Sequence, residues 1–360
     1  MRGALKYTLL QGVRGLLTVP GLMANPPSAA WRGSGTTGIT SPVTVEHDNA
    51  AIRYLNAVST HASGSYQVNP DASEAMVFEF VTAATLIDIR VLRFNSTFFV
   101  FVDNELISLT EFSTDSAGSA DILALDFTGT PKANTSKKIK LIGVNMLFSR
   151  VFLSTGASAT LPSPNRPLVA VLGDSYTQGS GTSDATKMGA GVTWARHCLD
   201  ALGYDYLPEG VGSTGYLTAA GPTAAATRMS DRLGVIPHTP AFVLLALGFN
   251  DAGGDMGVLA TNYAATVAAA NTAFPGVPVV TQGPWTPVGA TANLILVKNA
   301  LIAAAATASS QFIDIQDIIN TSNMAIYTDV DNTHPNVAGH AFLGNAIAQR
   351  MLAAGLRAAA

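Results

Sequence analysis

Cysteine is almost missing from this chain: Cys198 is the only one in 360 residues. No intrachain disulfide can form, and no cysteine-built zinc site is available. Cys198 falls in a stretch with helical spacing and reads as a small core residue. Charge is also scarce, at 12% of residues, with 20 basic and 24 acidic side chains and a net charge of −4. No basic run stands out, so nucleic-acid binding is disfavoured, because neutralising phosphates needs clustered Lys and Arg. No run of about twenty apolar residues is present to span a bilayer. The start of the chain is mildly basic and apolar, with residues 16–24 as a weak signal-like core that Arg14 and Pro20 interrupt, which leaves secretion or periplasmic export open.

Apolar residues are plentiful, at 48%, enough for a large core and for two domains. Residues 1–40 carry paired prolines and a Gly-Ser-Gly-Thr-Thr-Gly run and read as an arm with little regular structure. Over 41–160 the pattern is short strands at 76–81, 86–92, 97–102, 138–142 and 151–154, rich in β-branched and aromatic residues. Several alternate with period two, so one buried and one wet face are expected, as in an antiparallel, jelly-roll-like β-sandwich. Three prolines within 161–167 mark a linker. From 168 to 360 strands and helices alternate. Strands are expected at 168–172, 204–207, 242–247, 277–282 and 311–315. Helices are expected at 190–202, 224–233, 259–273 and 293–307, with a last one from Pro335 to about 356. That alternation specifies a doubly wound parallel sheet.

The first of these strands, LVAVL, carries no polar residue and reads as buried on both faces. It runs into Gly173-Asp174-Ser175-Tyr176-Thr177-Gln178-Gly179, with Gly179 and Gly181 keeping the following loop close-fitting. Loops at the carboxyl ends of such strands line the ligand crevice. Ser175 there is either a nucleophile or a helix N-cap. Three later blocks weigh toward the nucleophile: Glu209-Gly-Val-Gly-Ser-Thr-Gly215, Gly248-Phe249-Asn250-Asp251, and Asp331-Asn332-Thr333-His334. Of six histidines, His334 is the one with an aspartate three residues before it, and so is the candidate base, with Asp331 to hold its tautomer. His47, His61 and His238 carry no motif, and His197 and His340 read as structural. Asp174 and Asp251 are expected to hold loops; a metal site from Asp174, Asp251 and Asp329 has no known spacing, and none is expected.

These four blocks, in this order, resemble the SGNH/GDSL hydrolase superfamily over the C-terminal half. The resemblance implies a flavodoxin-like strand order. It also implies a serine esterase with Ser175, Asp331 and His334 as triad, needing no cofactor. Its oxyanion hole would take the Ser175 N–H, the Asn250 amide and a backbone N–H of the glycine block. That block departs from the usual pattern, leaving Gly212 and Ser213 both open as donor. Tyr216, Phe249 and Trp285 stand beyond strand ends as candidates for an acyl or sugar pocket. Members with a leading β-sandwich are often carbohydrate deacetylases, which makes acetate on a sugar the expected substrate. The alternatives are a broad short-chain carboxylesterase, or a carbohydrate-binding protein on a hydrolase scaffold. Self-association is left open.

Overall fold

In the computed structural model the described residues are 22–33, 35–56, 59–60, 67–68, 75–163, 166–180, 190–219, 221–285 and 291–358. Gly181 and His61 lie outside them. Strands up to Ala159–Thr160 form two antiparallel seven-stranded sheets. Leu86–Leu92, Ala120–Asp126 and Leu147–Leu153 make the middle of one; Ala75–Thr82, Thr97–Val102 and Lys137–Val144 make the middle of the other. Their facing side chains close a core in which Phe78 stacks on Phe148 at 4.2 Å.

Two expectations are corrected here. Of the expected arm, residues 1–21 and 34 lie outside the described residues, and the described residues between 22 and 40 are not a loose arm. Ser28–Trp31 forms an edge strand on Ala120–Asp126, Trp31 packs edge-on against Phe98, and Met23 enters the core. Thr37 Oγ1 and the Gly38 N–H donate to the buried Asp88. An edge strand of four residues leaves too little periodicity to read. The second correction concerns the wet face. In the second sheet the alternation persists, but both faces are covered. Met76, Phe78 and Phe80 fill the sandwich core, while Ala75, Val77, Phe99, Phe101 and Ile142 join the core of the C-terminal domain. Charged residues on that outer face are paired rather than solvated: Lys140 donates to Asp205 at 2.9 Å, and Arg53 to Glu79. Arg196 of the C-terminal domain lies over Phe101, 5.1 Å from its ring centre.

The C-terminal strands are β1 (Leu168–Gly173), β2 (Asp205–Gly210), β3 (Phe242–Ala246), β4 (Val279–Gln282) and β5 (Gln311–Ile313). All pair in parallel, in the order β2-β1-β3-β4-β5. Every residue of β1 is buried, as its unbroken apolar run requires. The helices are α1 (Ser175–Gln178), α2 (Trp194–Leu202), α3 (Ala225–Asp231), α4 (Met256–Ala273), α5 (Ala292–Thr307), α6 (Met324–Tyr327) and α7 (Val337–Ala353). α2 packs on α7, and α3, α4 and α5 pack in succession. The chain reverses its winding direction between β1 and β3, and such a switch point opens a crevice at the carboxyl ends of the strands. α7 starts two residues after the expected Pro335. Pro335 is held in a β-bridge to Thr328, and Asn336 caps the helix by accepting the Gly339 N–H at 2.8 Å.

Candidate active site

Ser175 is separated from the end of β1 by Asp174 alone and is the first residue of α1. The cap of that helix is Asp174, whose Oδ1 accepts the Tyr176 N–H at 3.0 Å, so Ser175 has no capping task. Gly173 must be glycine: a Cβ there would run into the Thr177 side chain. Asp174 is fully enclosed. Burial pushes its carboxyl up to about 7, opposed by the Tyr176 N–H and the nearby Arg228 and reinforced by the charge of Asp251.

The acid–histidine pair lies on the loop between α6 and α7. Asp331 Oδ2 and His334 Nδ1 are 2.6 Å apart, and Asp331 Oδ1 accepts the backbone N–H groups of Thr333 and His334, both at 2.9 Å. Burial raises the Asp331 carboxyl, but these hydrogen bonds outweigh it and hold it below its ordinary value. With Nδ1 donating to a carboxylate, Nε2 is the nitrogen left to accept a proton. The ring stands edge-to-face on Tyr176, centroids 5.5 Å apart, which brings it beside the neighbour of Ser175. Tyr176 is the hub of an aromatic cluster, with Trp285 at 4.6 Å and Phe249 at 5.2 Å. Tyr216 is not part of it. Its ring is buried against Tyr263, and its backbone N–H is tied to Asp251.

β2 runs further than expected and takes in Glu209 and Gly210. The block then turns across the end of β1, and an ideal Cβ on Gly212 would sit 3.8 Å from Ser175 Cβ. Ser213 is exposed with φ +60°, whereas Gly212 is half-buried beside Ser175. Asn250, at the end of β3, donates through Nδ2 to the Thr214 carbonyl at 2.8 Å, which orients the amide. Asp251 is buried and accepts the N–H groups of Tyr216 and Leu217 at 2.8 and 2.7 Å. It fastens the glycine block to β3, and Gly215 leaves the space its carboxylate needs. Asp329 caps its own turn through the Val330 N–H, and among the described residues no group of three His, Cys, Asp or Glu is placed to hold a metal ion.

Two residues without a motif complete the arrangement. Arg228 of α3 is fully buried. It donates to the Glu209 carboxylate (3.0 Å), Thr214 Oγ1 (3.0 Å), and the backbone carbonyls of Gly173 (2.7 Å) and Glu209 (2.6 Å). Burial lowers its guanidinium from the ordinary value and Glu209 opposes that shift. Gln178, at the end of α1, accepts the Gly212 N–H at 2.9 Å. Neither had a readable signal beyond its place near a block: a lone Arg in a helix reads as a surface residue.

A profile of the GDSL-like lipase/acylhydrolase family matches residues 171–342. Among solved structures the fold is similar to the salicylyl-acyltransferase SsfX3 from a tetracycline biosynthetic pathway. That match has 17% identity and a TM-score of 0.67 and covers 88% of this chain and 98% of that one. It is also similar to a family two carbohydrate esterase from Clostridium thermocellum in complex with cellohexaose (16%, TM-score 0.65, covering 85% and 99%). A third is the acetyl xylan esterase Est2A from the rumen bacterium Butyrivibrio proteoclasticus (12%, TM-score 0.64, covering 87% and 100%). No curated protein sequence matches the chain significantly. With the fold and the family profile in agreement, residues 171–342 carry a GDSL-like lipase/acylhydrolase domain, a carboxylic ester hydrolase domain of the SGNH fold.

Proposed function

We propose that the protein is a serine esterase that removes short acyl groups, acetyl first among them, from a carbohydrate. Ser175 attacks the ester carbonyl while His334 takes its proton, and Asp331 stabilises the imidazolium. The developing oxyanion is met by the N–H groups of Ser175 and Gly212 and by the second Nδ2 proton of Asn250, whose first is held by Thr214. The C–O bond to the alcohol breaks, and His334 returns the proton to the leaving oxygen. Water, activated by the same histidine, then releases the acid from the acyl-enzyme. The observation that carries this reading is the Asp331–His334 pair at 2.6 Å, its ring packed on the residue next to Ser175.

Support for the substrate class comes from the full-length likeness, sandwich included, to an esterase described with cellohexaose and to an acetyl xylan esterase. The boundaries at about 160 and 168 are proposed on the same ground. The test is hydrolysis of p-nitrophenyl acetate and of an acetylated oligosaccharide by wild type and Ser175→Ala. Loss of both activities in the variant supports the esterase. A wild-type preference for the oligosaccharide supports the sugar substrate, and the opposite preference a broad short-chain carboxylesterase. A folded but inactive wild type that a fluorophosphonate does not label at Ser175 would point to the binding scaffold.

A further inference from the structure

Gly212 has one backbone proton, and that proton is already in use. It is donated to Gln178 Oε1 at 2.9 Å, an oxygen that also accepts from Ser180 Oγ at 3.0 Å. The amide orientation follows, because a reversed Gln178 would set N–H against N–H. Gln178 lies three residues after Ser175 on the single turn of α1, so nucleophile and amide share a face. Gly179, in the left-handed region at φ 81°, ends the turn immediately afterwards. The Gln178 side chain is half-buried.

We propose that Gln178 occupies the oxyanion hole of the resting protein as a stand-in for the substrate oxygen, and that substrate must displace it. This rests on Gly212 being the donor of the esterase reading above. The exchange is a hydrogen-bond swap: the Gly212 N–H leaves a neutral amide oxygen and turns to the reacting carbonyl oxygen. An ester oxygen is a neutral acceptor and competes with Gln178 on near-equal terms. The tetrahedral oxyanion is charged, binds the same proton about twice as strongly, and wins. Gln178 thus holds the donor in place and opposes its early use by ground-state carbonyls, which ties full engagement of the hole to bond formation.

The test is kcat/KM for p-nitrophenyl acetate, and the rate of Ser175 labelling by a fluorophosphonate, in Gln178→Met and Gln178→Glu, with thermal melting of each. Met matches the length of Gln178 and carries no amide acceptor, so both rates should rise by roughly two- to twelve-fold, the worth of one neutral hydrogen bond. Glu places a charged acceptor on Gly212. Its activity relative to wild type should fall as pH rises through the carboxylate range and recover below it, a ratio in which His334 cancels. Lower rates in the Met variant, or a Glu-to-wild-type ratio flat with pH, would overturn the proposal, since a merely structural Gln178 would lower rate and melting temperature together. Full activity in Ser175→Ala would instead remove the esterase reading on which it stands.

Discussion

Arg228 and Gly173 are 55 residues apart, yet the guanidinium of one donates to the backbone carbonyl of the other at 2.7 Å. The same group reaches the Glu209 carbonyl and Thr214 Oγ1, and Thr214 in turn accepts from Asn250. One buried cation therefore ties together the ends of β1 and β2 and the loop that carries Gly212. Arg228→Met should destabilise the fold by about 3–5 kcal/mol, the usual result of removing one partner of a buried charge pair. Lysine cannot reproduce four bonds from a planar fork, so Arg228→Lys should also lose stability and turnover. Urea unfolding midpoints and kcat measure the two effects; a Lys variant equal to wild type in both would show that the fork geometry is unimportant.

Asp331→Asn should cut turnover by roughly three to four orders of magnitude, since the imidazolium loses its anionic partner. An asparagine Oδ1 can still accept the Thr333 and His334 N–H groups, so melting should change little. An unchanged rate would mean that something other than Asp331 orients the ring.

His197 and His340 are both buried where α2 meets α7, and His340 Nδ1 accepts the Trp194 N–H at 3.1 Å. Burial depresses both rings to about 3, with Arg196 adding to the effect at His197, and His197 and His334 at His340. In the unfolded chain they take up protons near the ordinary value of ~6.5. The stability they contribute is therefore full above that pH and is lost as pH falls toward 3, by up to about 1.4 kcal/mol per pH unit for each ring. Denaturation between pH 7 and 4 in wild type and His340→Gln should show a shallower acid loss in the variant. Parallel slopes would count against this origin.

Asp174 works in the opposite sense. Its folded value of about 7 lies above the unfolded one, so the folded state keeps a proton that the unfolded chain releases. Its contribution is full below about 4 and is lost as pH rises through 7, again by at most about 1.4 kcal/mol per unit. Asp174→Asn keeps an acceptor for the Tyr176 N–H and has no charge to bury. It should gain stability relative to wild type as pH rises from 4 to 8, read from melting temperatures across that range. A constant difference between the two would mean that Asp174 does not titrate there.

Strand and helix order in the C-terminal half was legible because each element carries its own periodicity, and the apolar run at 168–172 demanded a strand buried on both faces. The Asp331–His334 pair was legible too, being three residues apart on one turn. The sandwich was readable as a class, but the fate of its outer face was not. Lys138, Lys140 and Glu79 alternate as a solvated face would, yet all three are buried ion-pair partners: Glu79 pairs with Lys138 and Arg53 inside the sandwich, and Lys140 reaches Asp205 of the neighbouring domain.

Local pattern, then, was enough to determine the strands and helices of the C-terminal half and which short blocks carry reactive groups, because side-chain periodicity and turn chemistry act within a few residues. Which blocks meet was decided by the order of strands in the sheet. Setting β1 between β2 and β3 puts Ser175, Gly212 and Asn250 at one edge. The contacts that follow, Gln178 to Gly212 across 34 residues and Arg228 to Gly173 across 55, exist only after that order is made. Hydrogen bonds of such reach leave no periodic trace in a sequence, since any polar residue at the right point in space can supply them.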